Sequence, residues 1–131
     1  KFEKVADGVY YATATGSMVT GSNNVLVVGS RDVLAVDTGT SPAAARAFIE
    51  DAKLVTNKPI RYVVNTHFHY DHTDGNQVYA GTAEIIKYGI IKDPALFKRL
   101  EKSLPKIIAR DLAELLPVVT RSCEIKSTST D

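Results

Sequence analysis

At 131 residues the chain has the size of one domain, long enough to remove about two-thirds of its unfolded surface from water on folding. Hydrophobic residues at 44% and charged residues at 24% argue against a disordered or fibrous class. The 16 basic and 15 acidic side chains leave a net charge of +1, with no basic stripe to follow a nucleic-acid backbone, so no nucleic-acid partner is expected.

No apolar run approaches the roughly 20 residues that span a bilayer, and the start lacks the apolar core of a signal peptide. No membrane partner is expected. A soluble protein is, with the compartment open and the cytoplasm slightly favoured; Lys1 in place of methionine leaves room for a leader or tag already removed. Cys123 is the only cysteine, which rules out an internal disulfide. It reads as an unpaired thiol near a fraying end, the other reading being a metal ligand.

Residues 1–14 carry Val5, Val9, Tyr10 and Tyr11 around an Asp7-Gly8 turn, an edge strand or hairpin feeding a sheet. Gly16, Ser17 and Gly21 mark a mobile loop. The apolar runs 25–28 and 33–36, joined by Gly29-Ser30-Arg31-Asp32, predict an antiparallel pair buried on at least one face. Pro42 suits the first position of a helix capped by Ser41 or Thr40, and Ala45, Phe48, Ile49, Ala52 and Val55 form the stripe that packs on the sheet. Residues 59–65 read as a buried strand, so strand, helix and strand make a βαβ-like crossover. Open α/β sheets place ligands at the carboxyl ends of such strands.

Residues 66–76 follow directly: Thr66-His67-Phe68-His69-Tyr70-Asp71-His72-Thr73-Asp74-Gly75-Asn76. All three histidines of the chain lie here, and His67, His69, Asp71 and His72 put four candidate metal ligands into six positions. Imidazole and carboxylate suit zinc and related divalent ions. In extended chain, positions i and i+2 point the same way, so His67 and His69 can close on one ion while Phe68 turns away. The backbone must then turn, letting Asp71 and His72 face a second ion beside the first. The plain alternative is a histidine-rich surface loop. Phe68 and Tyr70 are expected to pack the loop against the sheet, and Asp74 and Asn76 to cap the short helix that follows.

Beyond the motif, another short strand is expected at 83–86. A helix opening at Asp93-Pro94 carries Leu96, Leu100, Leu104, Ile108, Leu112 and Leu115, a core or interface stripe. Pro105 interrupts it at a cost of about 3 kcal/mol, which predicts a kink or two successive helices, the second ending before Pro117. Residues 122–131 are rich in serine and threonine without periodicity, a disordered tail, leaving 1–121 as the domain.

The spacing His-x-His-x-Asp-His after an apolar strand resembles the signature of the metallo-β-lactamase superfamily, and the likeness extends to 22–28, 33–39 and the helix pattern 42–55. The resemblance implies an α/β (α+β) fold, an αββα sandwich of which about the first αβ half is present. His67 and His69 would hold the first metal, Asp71 and His72 the second, with Asp71 also accepting a hydrogen bond from the attacking water. Asp37 stands where the family has an aspartate supporting the metal loop; orienting the loop or a ligand imidazole is one reading, a cap residue before Thr38-Gly39 the other. The family completes its metal shells with downstream ligands, and this chain has no histidine after His72.

Two hypotheses follow. The first is a metal-dependent hydrolase, with one or two zinc ions and with iron or manganese as alternatives, that activates water to cleave an ester, thioester, lactam or phosphodiester in a small-molecule substrate. His69 stands where a di-iron oxidoreductase branch usually carries glutamate, which favours hydrolysis. The second is a catalytically incomplete half-domain serving as a metal-binding or assembly module. Half a sandwich would leave the inner face of its sheet bare, which predicts a homodimer or association with a complementary half.

Overall fold

The computed structural model describes residues 1–14, 16, 20–87 and 94–104. The chain opens with a hairpin of β1 (Phe2–Ala6) and β2 (Val9–Ala12), turned at Gly8 with φ 71°, a conformation glycine adopts without strain. β3 (Asn24–Val28) and β4 (Val33–Val36) continue the antiparallel run. The helix α1 (Pro42–Ala52) starts at the predicted proline, and Ser41, not Thr40, is its cap, its hydroxyl accepting from the Ala44 N–H at 3.1 Å.

From α1 the chain crosses to β5 (Ile60–Asn65), parallel to β4, and after the short helices α2 (Tyr70–Thr73) and α3 (Asn76–Tyr79) adds β6 (Glu84–Lys87), parallel to β5. The six strands lie in sequence order in one sheet. α4 (Pro94–Ser103) completes the described elements.

Successive strand residues face opposite sides of the sheet, and here both sides are buried. Leu26, Val33, Ala35 and Val63 pack with Ala45, Phe48 and Ala52 of α1 and Tyr79 of α3. Val9, Val27, Leu34, Tyr62 and Ile86 pack on the other side with Leu96 and Leu100 of α4 and with Leu104 just beyond it. Burial on both faces explains why β3 and β4 read as near-continuous apolar runs.

This second layer corrects the expectation that one half of a sandwich leaves its inner sheet face bare. α4 covers that face over the row Val9, Val27, Leu34 and Tyr62. It is anchored at its end, where the Ser30 N–H donates to the Ser103 carbonyl at 2.6 Å and a side chain at Gly29 would collide with that oxygen. One row nearer the carboxyl ends of β4 and β5, Val25, Val36 and Val64 are only half-buried, and Tyr11 is exposed.

The cover makes a prediction. Leu100 is fully buried, so Leu100→Ala is expected to cost about 2–5 kcal/mol, read from the midpoint of urea unfolding. A loss below about 0.5 kcal/mol would mean that α4 does not pack on the sheet in solution.

The helix stops where Pro105 requires, since the residue before a proline is driven out of helical conformation. The expected second helix, Cys123 and the tail expected at 122–131 lie outside the described residues.

Candidate metal centre

The parallel strands β4 and β5 end side by side, Val36 opposite Val64, and the chain leaves both toward the same edge. Asp37, the first residue after β4, is bent into the left-handed region at φ 61°, uncommon for a residue with a side chain but best tolerated by aspartate and asparagine. The conformation is held from several sides. Its N–H donates to the Val64 carbonyl at 2.7 Å, and its carbonyl accepts from Asn24 Nδ2 at 2.8 Å.

The bend turns the carboxylate of Asp37, 4% exposed as a residue, across to the chain leaving β5. Its Oδ1 accepts the Thr66 N–H at 2.8 Å, its Oδ2 accepts the Thr66 hydroxyl at 2.9 Å, and Oδ2 also meets His72 Nδ1 at 2.7 Å. Asp37 therefore grips the strand end and an imidazole at once. The cap reading of this residue has no counterpart in the geometry: Ser41 caps α1.

These bonds determine which ring atoms carry protons. A carboxylate only accepts, so His72 donates from Nδ1, and the Thr66 hydroxyl spends its one proton on Asp37. His67 Nδ1, 2.9 Å from the Thr66 oxygen, then supplies the proton of that bond. In its neutral form each of these imidazoles thus turns Nε2 outward as an acceptor. His67 Nε2 lies 3.1 Å from His69 Nδ1, and His72 Nε2 lies 3.3 Å from Asp71 Oδ2. The His67 ring stands 4.7 Å from that of His69 and 4.0 Å from that of His72.

The sequence-predicted residues His67, His69, Asp71, His72 and Asp37 are therefore gathered at one sheet edge. The four candidate ligands stand as two pairs of electron-rich atoms, and no trio of His, Cys, Asp or Glu among the described residues forms a ready-made shell. Two lone pairs at such distances repel unless a proton or a cation lies between them. Two nitrogens bound tetrahedrally to one zinc at 2.0–2.1 Å would stand about 3.3 Å apart, close to the His67 and His69 separation. In both donor chemistry and spacing the residues fit a divalent ion. They are also reachable: His69 is exposed, and the side chains of Asp71 and His72 are 25% and 19% exposed.

Two expectations about neighbours need correction. Phe68 and Tyr70 do not pack on the sheet; they are 71% and 67% exposed, because the chain has left the sheet before it reaches them. Asp74 and Asn76 do not cap α3, whose cap position is Gly75 and which has no side-chain cap bond. Asn76 turns inward to Asn65 and Thr38, both buried. Sequence reasoning passed over Asn65, Thr38 and Thr66. A polar residue closing an apolar strand, as Asn65 does, was the available signal.

The comparisons with known proteins agree with this geometry. The metallo-beta-lactamase superfamily matches residues 18–123. The fold resembles a metallo-beta-lactamase from Erythrobacter litoralis, at TM-score 0.53 and 30% identity over 64% of this chain and 39% of that one. It also resembles a Pseudomonas aeruginosa metallo-beta-lactamase solved in its mono-zinc form, at TM-score 0.57 and 26% identity over 66% of this chain and 41% of that one. Among curated proteins, a 3-dehydroquinate synthase from Hydrogenovibrio crunogenus is 44% identical over 55 residues, 42% of this chain and 15% of the synthase. The chain thus spans about two-fifths of the lactamase structures and a smaller share of the synthase. The sheet with its bent Asp37, the loop of paired donors and the match over 18–123 lead to one conclusion: the chain belongs to the metallo-beta-lactamase superfamily.

Proposed function

We propose that this chain carries the water-activating metal loop of a hydrolase, with His67 and His69 holding one divalent ion and Asp71 and His72 a second. The observation that supports this reading most is the pairing of donor atoms, one imidazole of each pair being oriented through its Nδ1, His72 by Asp37 and His67 by Thr66. Zinc is favoured by the imidazole-rich set, with iron or manganese as alternatives. Such an ion, when bound, would act as a Lewis acid and bring the pKa of bound water down to around 7.

The protein's own residues orient and hold. Asp37 keeps the His72 ring fixed by its Nδ1, the kind of support that sharpens metal affinity. Thr66 passes the same restraint to His67. Asp71, at the first turn of α2, presents a carboxylate that can accept a hydrogen bond from water and aim its lone pair at an electrophile. The substrate class is a small molecule with an ester, thioester, lactam or phosphodiester bond.

A catalytic zinc commonly takes three protein ligands plus water, and each pair supplies two. The remaining donors are therefore proposed to come from a homodimer partner or a complementary half, seated beside the half-buried Val25, Val36 and Val64. An assembly module is the second reading, favoured by the exposure of Phe68 and Tyr70 beside His69.

The experiment compares zinc-loaded with chelator-treated protein on a panel of the four bond classes, with mass in solution recorded on the same sample. Zinc-dependent turnover of at least one class supports the hydrolase. Bound zinc without turnover at any mass leaves the assembly module.

A further inference from the structure

The metal loop is closed at its base by a pair of side-chain amides. Asn65 is the last residue of β5 and Asn76 the first of α3, so the two bracket residues 66–75, which hold the four candidate ligands His67, His69, Asp71 and His72. Asn65 Nδ2 donates to Asn76 Oδ1 at 3.0 Å, and Asn76 Nδ2 donates to Asn65 Oδ1 at 2.8 Å. This reciprocal arrangement leaves neither amide free to flip without losing both bonds.

Asn65 of this pair grips the far end of the loop through one atom, the carbonyl oxygen of His72. That oxygen accepts from Asn65 Nδ2 at 3.0 Å and from the Thr38 N–H at 3.0 Å. The Thr38 hydroxyl lies 3.2 Å from it and 2.9 Å from Asn76 Oδ1, its single proton serving one at a time. Asn65 and Thr38 are 1% and 2% exposed, so water cannot take over these bonds, and a buried polar group left unpaired costs about 1–3 kcal/mol.

Besides the Ser22 hydroxyl, which donates to the Asp71 carbonyl, the loop has two anchors from the strand ends. The Asp37 carboxylate holds Thr66 at the His67 end and one ring nitrogen of His72, whereas the amides and Thr38 hold the backbone of His72 and, through it, Asp71. Gly75 belongs to the second anchor: a side chain there would collide with the Thr38 carbonyl.

We infer that Asn65, Asn76 and Thr38 form a clamp that presets the Asp71 and His72 end of the loop, and so govern the second ion position more than the first. This rests on the metal binding of the proposed function. The three act as positioning residues, since their side-chain polar atoms are taken up by one another and by the His72 carbonyl.

The test titrates zinc into metal-free wild type, Asn76→Ala, Thr38→Val and Thr38→Ser against a competing chelator, with cobalt absorption as a second reading of each position. The second equivalent is expected to weaken roughly 10–100-fold in Asn76→Ala and in Thr38→Val, the range seen for lost supporting partners, while the first changes less than about threefold. Thr38→Ser, which keeps the hydroxyl, restores the second position. Equal weakening of both equivalents, or of neither, overturns the clamp.

Amide exchange in the metal-free proteins separates this inference from the reading beneath it. In Asn76→Ala the Thr38 N–H, bonded to His72, is expected to exchange at least about tenfold faster, while the Thr66 N–H, held by Asp37, keeps its rate. Unchanged Thr38 exchange defeats the clamp whatever metal does. Wild type that takes up no zinc defeats the metal reading instead.

Discussion

A His67→Ala, His69→Ala double variant is expected to lose the first metal equivalent, its zinc affinity falling by more than the roughly 100-fold that a lost supporting residue costs. Its stability without metal should barely change. His69 is exposed and His67 half-buried, and among the described residues the side-chain hydrogen bonds lost are that between the two rings and that of His67 with Thr66, with the ring contacts to His72 and Phe68. Surface replacements of this kind fall within about 0.5 kcal/mol. The combination of large metal loss and small stability loss is diagnostic, because a structural role for the imidazoles would give the reverse. Zinc competition and urea unfolding on the same preparation measure both. A double variant that binds zinc as wild type does would remove these residues from the site.

Asp37→Ala is expected to do the opposite, costing about 2–4 kcal/mol of stability before any metal is added. Alanine at φ 61° carries a left-handed penalty of about 1–2 kcal/mol that aspartate partly escapes. The replacement also strips the Thr66 N–H, the Thr66 hydroxyl and His72 Nδ1 of their acceptor, and unpaired polar groups add about 1–3 kcal/mol where water is kept out. Thr66 is exposed, so its share sits at the low end.

Asp37→Asn separates the two contributions. It keeps the shape and tolerates the backbone, yet its amide nitrogen offers a donor where acceptors are needed, so one of Thr66 and His72 loses its bond. Zinc affinity should then fall roughly 10–100-fold with a smaller stability loss than for alanine. Equal stability of Asp37→Ala and wild type would show that Asp37 does not hold the loop.

Much of this arrangement was legible in the residues. The hairpin at Asp7-Gly8, the antiparallel β3 and β4, the proline-led α1 and the βαβ crossover followed from periodicity and turn chemistry, which act over a few residues. So did the placing of His67, His69, Asp71 and His72 at a strand's carboxyl end. What escaped depends on partners distant in sequence.

The Leu96, Leu100 and Leu104 stripe announces a face but not what that face meets, and α4 turned out to cover the side of the sheet expected to be bare. Phe68 and Tyr70 look like core residues by type and are exposed by position. Asn76 resembles a cap in local sequence, yet its amide is taken by Asn65, eleven positions earlier, and by Thr38, which only the crossover brings near.

The most direct measurement is the metal content per chain of protein purified without chelators, by elemental analysis. About one to two equivalents of zinc or a related ion are expected, one held through dialysis, because two imidazoles on a preset loop form half of a tetrahedral shell. Folded protein with less than about a tenth of an equivalent, and no uptake on adding zinc, would contradict the proposed metal centre.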